Sequence, residues 1–328
     1  MERTCVLLMF MLSGLLGYTQ QLGQRGESIS KIKKYLSQQA AKDSLHGTVL
    51  IADGDSILVR EAYGYWDTEH TQRHSPVGKI GLASMGKMFT GISIMQLASQ
   101  GKIDLDKSIG TYLQDIKNRT LRNQVTIKEL LSHRSGLGSY WGYTTESDQG
   151  NLDRLYQLIL EKEKVKKNRK FSYSNSGFIL LGKLIEVISG MTYEQYVKVN
   201  ILKPLKMYDT EIGISDGGGN STVDDLFKFS MGLRNHQLLS EQSFDAMIQD
   251  QSNNNYGLGF TVEIRNNHKI YGHRGGFYIE NTVIGVASGL EIVNDSLTVI
   301  ILTNRNPGMG GGDARNFMLN VLTDNQDG

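Results

Sequence analysis

Cysteine is almost missing from this 328-residue chain, which has one, Cys5. That thiol lies inside the apolar run 5–16, so whatever follows the run has no disulfide, thiolate catalyst or cysteine-based zinc site. Proline is scarce too, and three residues in the whole chain argue against long rigid linkers. No sign of charge dominates. With 35 Lys and Arg against 34 Asp and Glu, the formal charge of +1 offers no global field for nucleic acid or an anionic membrane. The run 5–16 is also shorter than the roughly 20 apolar residues a membrane-spanning helix needs. Preceded by Arg3 and followed by Gly17-Tyr18-Thr19-Gln20, it has the form of a secretory signal over residues 1–20. An exported protein follows as the expectation, periplasmic or secreted, with no transmembrane domain after signal removal.

Periodicity organises the rest. A helix is expected over 28–39, then two strand-like runs, 46–52 and 57–63, split by the hairpin signal Asp53-Gly54-Asp55. An amphipathic helix over 84–99 ends at Gly101, a suitable left-handed terminator. Helical spacing then recurs over 126–132, 152–161, 178–188, 193–201 and 222–233. Thr126-Ile-Lys-Glu129 and Thr222-Val-Asp-Asp225 have the hydroxyl cap and early acid of a helix start. Strand character returns over 257–263, 269–272, 281–287 and 296–304, and a helix over 314–322 closes the chain. Strands at both ends imply an α+β fold. Its mainly antiparallel sheet is built from both chain ends, about 25–82 and 255–325, flanked by helices, with a mostly helical lobe inserted over about 84–240.

Four Ser-x-x-Lys tetrapeptides occur, and one of them, Ser99 to Lys102, runs across the helix terminator Gly101. Ser28 to Lys31 and Ser30 to Lys33 sit where Ile29, Ile32 and Leu36 recur at helical spacing, which puts those lysines on a solvated helix face. Ser84-Met85-Gly86-Lys87 differs, because it joins an apolar loop to a long amphipathic helix. Positions i and i+3 share a helix face, and the first turn leaves N–H groups unpaired. A serine hydroxyl needs a base to become a nucleophile. Lys87 serves if burial, the helix dipole or a second cation keeps it partly neutral, and a nearby tyrosine serves if the lysine stabilises its phenolate. Tyr173-Ser174-Asn175 is the one Tyr-x-Asn in the chain, placed between the basic run 162–170 and the helix expected near Phe178. His273-Arg274-Gly275-Gly276 follows the strand-like Ile270-Tyr271. Glycines on an edge strand let a substrate backbone lie alongside, and their amides can join that of Ser84 around an oxyanion.

Other signals are weaker. Gly213-Ile-Ser-Asp-Gly217 matches a nucleophile-elbow pattern, but Glu211 and Gly217-Gly-Gly219 deny it the preceding buried strand and the following helix. His70 and His74 lie in a polar loop with no third ligand, so no metal site is expected. Gly308 to Gly312 lacks the full dinucleotide fingerprint and is read as a loop.

The ordered set Ser-x-x-Lys, Tyr-x-Asn, His-x-Gly resembles the serine β-lactamase and penicillin-binding-protein superfamily. The branch it most resembles contains class C β-lactamases, D-stereospecific peptidases and esterases. The likeness extends over residues 21–328 through Gly47-Thr-Val-Leu-Ile, Met95-Gln-Leu-Ala-Ser-Gln-Gly101, Lys102-Ile-Asp-Leu-Asp106, Leu130-Leu-Ser-His-Arg-Ser-Gly-Leu137, Pro204-Leu-Lys-Met207 and Ser221-Thr-Val-Asp-Asp-Leu226. The resemblance implies a β-lactamase/transpeptidase-like domain in which Ser84 attacks a carbonyl and becomes acylated, with Lys87 and Tyr173 sharing the proton shuttle. Asn175 would orient Lys87 and bind the substrate amide, His273 would maintain the electrostatics of the cleft, and Arg274 and Gly275 would contact substrate. Backbone N–H groups of Ser84 and Gly276 would hold the oxyanion, and water would release the acyl group. No metal or organic cofactor is implied. The implied partner is a small molecule or peptide, cell-wall fragments included, and not nucleic acid.

Two departures bear on the substrate. Arg274 replaces the family's usual small hydroxyl residue, and its guanidinium either binds a substrate carboxylate or points away along the strand. The stretch between Tyr208-Asp-Thr210 and Ser221-Thr222 is short and filled by Gly217-Gly-Gly219, which implies a low, mobile cleft wall. The reading is an exported serine hydrolase acting on a D-amino-acid peptide or an ester, with a β-lactam ranked behind. The alternative is a non-turnover protein of the same fold that binds cell-wall peptides or is trapped as an acyl adduct.

Overall fold

A computed structural model describes residues 23–305 and 309–324, so the signal expected over 1–20 lies outside the described residues. The first hairpin forms where Asp-Gly-Asp predicts it. Strands β1 (Gly47–Asp53) and β2 (Ser56–Tyr63) pair antiparallel around Gly54, whose left-handed φ of 55° suits a tight turn. Helix α1, residues 23–41, precedes them. Near the other end come β6 (Thr261–Arg265), β7 (His268–Tyr278), β8 (Gly285–Val293) and β9 (Leu297–Thr303), then α10 (Met309–Thr323). β9 pairs with β1, and the six-stranded antiparallel sheet runs β2-β1-β9-β8-β7-β6.

The sheet is covered on both sides, and its strands divide their side chains accordingly. Val49, Ile51, Val299 and Ile301 meet Ile32 and Leu36 of α1 and Met318 and Leu319 of α10. Leu50, Ala52, Tyr271, Leu290, Ile292 and Ile300 face the inserted lobe and join its core. At the centre of that lobe lies α2 (Lys87–Ser99), preceded by a 3₁₀ turn, Ala83–Gly86. The sequence suggests an amphipathic helix here, yet ten of its 13 residues are buried. Its polar members are satisfied within the protein: Ser93 donates to the Phe89 carbonyl at 2.8 Å and Thr90 to that of Ser215 at 2.6 Å.

Around α2 stand α3 (Arg119–Gln124), α4 (Ile127–Leu131), α5 (Leu152–Lys162), α6 (Asn175–Ser189) and α7 (Tyr193–Val197), then α8 (Val223–Arg234) and α9 (Glu241–Met247). The expected caps form: Thr126 and Glu129 close a capping box on α4, and the Thr222 hydroxyl accepts from Asp225 N–H on α8. Among the described residues no single helix is long and apolar enough to cross a membrane.

Three expectations change. A second sheet, β3-β5-β4, joins Ile80–Gly81, Gly217–Ser221 and Glu211–Ile214. The glycine triplet thus opens a strand rather than forming a loose wall, for register with Ile212 and Ile214 supplies the order its composition lacks, and the strand continues through Asn220 and Ser221 paired with β3. β7 extends six residues past Gly272 because β8 pairs with it as far as Tyr278, so the His-x-Gly motif lies within a strand. Residues Gly310 to Gly312, expected in a loop, form the opening turn of α10.

Candidate active site

The nucleophile turn begins with a strained residue. Ala83 holds a left-handed φ of 46°, and the 3₁₀ turn that follows contains Ser84. Ser84 therefore precedes α2 instead of opening it. With three residues per turn, a 3₁₀ segment eclipses i and i+3. The Lys87 ammonium accordingly reaches the Ser84 hydroxyl at 3.4 Å.

Lys87 is fully buried. It donates to Asn175 Oδ1 at 2.8 Å and to the Asp216 carbonyl, and it lies 5.0 Å from the Tyr173 ring centroid and 5.3 Å from that of Phe178. Burial lowers its pKa to about 8, against the opposing pull of the Asp216 carboxylate. A neutral fraction thus exists near neutral pH.

Tyr173 is 40% exposed on the chamber side, yet it is hydrogen-bonded to Ser84, and desolvation of the phenol by the surrounding protein raises its pKa above the ordinary value of 10.0. Of the two candidate bases, the structure therefore favours neutral lysine over phenolate. The Tyr173 loop is clamped by His133, whose carbonyl accepts from Ser172 N–H at 2.8 Å and whose Nδ1 accepts from Ser174 N–H at 3.0 Å. The imidazole also packs 4.2 Å from the Tyr173 ring. Helix α6 starts at Asn175, earlier than Phe178, because Ser174 caps it by accepting from Gly177 N–H at 2.9 Å. Asn175 is thereby fixed: Oδ1 faces Lys87 while Nδ2 donates to Ser139 Oγ at 3.2 Å.

On β7, His273 Nδ1 lies 2.6 Å from the Arg274 carbonyl, which can only accept, so Nδ1 bears the proton. Nε2 is then the acceptor for the Tyr256 hydroxyl at 2.9 Å. Burial, followed by the charge of Lys87, depresses the imidazole pKa to about 3, so His273 is neutral. Gly275 passes so close to the nucleophile turn that a Cβ would fall 1.9 Å from the Leu82 carbonyl oxygen and 3.0 Å from Ser84 N. Alternation along β7 sends Arg274 to the face covered by α10. There it pairs with Glu263 at 3.2 Å and with Glu291 at 3.5 Å, and Arg315 of α10 also binds Glu291. Its guanidinium is thus engaged by two carboxylates, while part of Arg274 and Glu263 still line the chamber at Ser84.

Two chambers meet at Ser84 and Gly276. One, of about 500 Å³, is lined by Tyr173, Tyr256, Glu263 and His273 and by part of Arg274. The other, of about 460 Å³, is lined by Tyr140, Trp141, Asp216, Phe277 and Tyr278. Sequence reasoning missed His133, Tyr140, Asp216 and Tyr256. His133 and Asp216 lay within quoted segments, but their partners are 41 and 76 residues away, and no local pattern marks Tyr140 or Tyr256. Ser215 is fully buried, as befits a residue outside the chemistry. His70 pairs with Asp43 at 2.8 Å and His74 with Asn304 at 3.0 Å, on separate partners.

A family model described as Beta-lactamase matches residues 32–322. The chain belongs to that family. Its relatives include "Putative penicillin-binding protein PbpX" of Bacillus subtilis, 26% identical over 264 residues that cover 71% of this chain and 65% of that protein. The chain thus spans just under two thirds of that relative's length. FmtA from Staphylococcus aureus superposes with a TM-score of 0.78 at 22% identity, over 92% of this chain and 88% of that one. D-amino acid amidase from Ochrobactrum anthropi gives 0.77 at 18% identity, over 92% and 99%. These two likenesses establish the β-lactamase/transpeptidase-like fold. Within this family fold the Ser-x-x-Lys pair is assembled at the junction of the two chambers.

Proposed function

We propose that the protein is an exported serine hydrolase that is acylated on Ser84 and hydrolyses a small amide or ester. The Ser84 and Lys87 pair carries this reading, with a buried amine near its neutral form 3.4 Å from a hydroxyl. Neutral Lys87 takes the Ser84 proton as Oγ attacks the carbonyl. Asn175 and the Asp216 carbonyl hold the amine in place. The Tyr173 phenol, bonded to Ser84, passes a proton to the leaving group and is reprotonated from the Lys87 ammonium, which returns the lysine to its neutral form. The Ser84 and Gly276 N–H groups stabilise the oxyanion, and water then frees the acyl group.

Peptidase action on D-amino-acid peptides and ester hydrolysis rank together, ahead of β-lactam turnover. The amidase likeness supports an amide substrate and the penicillin-binding-protein likeness supports a cell-wall fragment. Export rests on the apolar run 5–16. The test compares the wild type with Ser84→Ala on a chromogenic ester and an acylating β-lactam, following turnover and intact mass. An acyl adduct and turnover, both lost in the variant, are expected. Hydrolysis that survives Ser84→Ala refutes the mechanism, and an adduct that never turns over assigns the protein to the trapping alternative.

A further inference from the structure

Asp216 is a buried carboxylate to which the proton transfers above give no role. It is 6% exposed and lies between β4 and β5, in the wall of the aromatic chamber beside Ser84. Its Oδ2 accepts the Tyr140 hydroxyl at 2.8 Å. Among the described residues the cation that acts on it is Lys87, whose hydrogen bond goes to the Asp216 carbonyl rather than to the carboxylate. Burial raises the Asp216 pKa, opposed by Lys87, the Tyr140 hydroxyl and its own backbone N–H; once Lys87 becomes neutral to act as base, an anion there keeps only those two hydrogen bonds in a desolvated site, an expensive arrangement. A second cation brought by the substrate would remove that cost.

The chamber suits such a guest. Tyr140, Trp141, Phe277 and Tyr278 present aromatic surfaces around the acid, and ring faces attract ammonium groups. Gly217 and Gly218 leave the space beside Asp216 without side chains. Tyr173, the proton donor to the leaving group, lines the opposite chamber, so the leaving group departs there and the acyl group occupies the aromatic side.

We propose that the aromatic chamber binds an acyl group bearing a protonated amine, with Asp216 as counter-ion, so that the preferred substrates are aminoacyl amides or esters with a free amine. This specificity rests on the Ser84 acyl-enzyme reading.

The test uses p-nitrophenyl acetate, a small uncharged ester, as the reporter substrate. D-phenylalaninamide and N-acetyl-D-phenylalaninamide, which differ in the charge of the amine, compete against it. Loss of reporter hydrolysis in Ser84→Ala supports the underlying reaction; its retention overturns both proposals. Given that loss, the free amine is expected to inhibit the wild type at least ~10-fold more strongly than the acetylated amide. Asp216→Asn is expected to bring the ratio of inhibition constants close to ~1, and Trp141→Ala to reduce it several-fold. A ratio is read because Asp216→Asn also perturbs Lys87, which alters both inhibition constants through the same enzyme. Trp141, at 60% exposure, tests the chamber even where Asp216→Asn does not fold. Equal inhibition of the wild type by the two amides overturns the ammonium site and leaves the Ser84 chemistry standing, as does an unchanged ratio in both variants.

Discussion

At the scale of single residues, the site is a problem in proton placement. Lys87 has a pKa of about 8 in the folded protein against an ordinary value of 10.5. Because the base must be neutral, hydrolysis of an uncharged ester is expected to rise with pH through a midpoint near 8. A pH–rate profile flat from 6 to 10 would show that another group is the base. The same shift has a thermodynamic consequence. Between about pH 8 and 10.5 the folded state binds fewer protons than the unfolded state, so stability increases with pH across that window and the penalty is fully present below it. Relative to Lys87→Met, the wild type should gain roughly 3 kcal/mol over this range. Denaturant melts of both proteins at each pH measure the difference, and no change with pH would mean that Lys87 titrates normally. Tyr173→Phe is expected to lose about 100-fold in turnover, whereas Lys162→Ala, on the charged surface stretch, stays within about 2-fold. Equal losses would remove Tyr173 from the proton path.

Elements deliver these residues through local rules and close approaches. The α4 capping box leads directly into His133, which clamps the Tyr173 loop. Thr126→Ala should destabilise the protein by about 1 kcal/mol, measured by urea unfolding, with little effect on KM. β7 makes the stricter demand. A methyl at Gly275 would collide with backbone of the nucleophile turn, and backbone cannot rotate away. Gly275→Ala is therefore expected to lower turnover at least ~10-fold through displacement of Ser84, and retention of wild-type turnover would show that the two segments separate freely. The caps at Thr126 and Thr222 were legible because a hydroxyl and an acid three residues apart act within one turn. The small sheet was not, because a two-residue strand and a glycine triplet carry no alternation and owe their order to pairing across the chain.

At the scale of the whole molecule, strands from both chain ends close one sheet, and α2 is buried between that sheet and the helices of the lobe. Neither lobe completes the site alone, since Lys87, Asn175 and Asp216 come from the insertion and His273 and Gly276 from the terminal strands. Loss of ester hydrolysis and loss of far-UV circular dichroism should therefore coincide in urea, and two separated transitions would show that the lobes unfold independently.

By itself the sequence determined the antiparallel hairpin at Gly54, most of the helices and the choice of Ser84 over its look-alike serines. These depend on local periodicity, turn chemistry and motif order along the chain. The tertiary structure alone decided that Lys87 is the group near neutrality while Tyr173 and His273 stay uncharged, because desolvation depends on what surrounds a side chain. It also turned Arg274 toward Glu263 and Glu291, and it brought Tyr256 to His273 and Tyr140 to Asp216. Those partners lie 11, 17, 17 and 76 residues apart. Contacts at such separations are set by sheet register and packing, which no local pattern encodes.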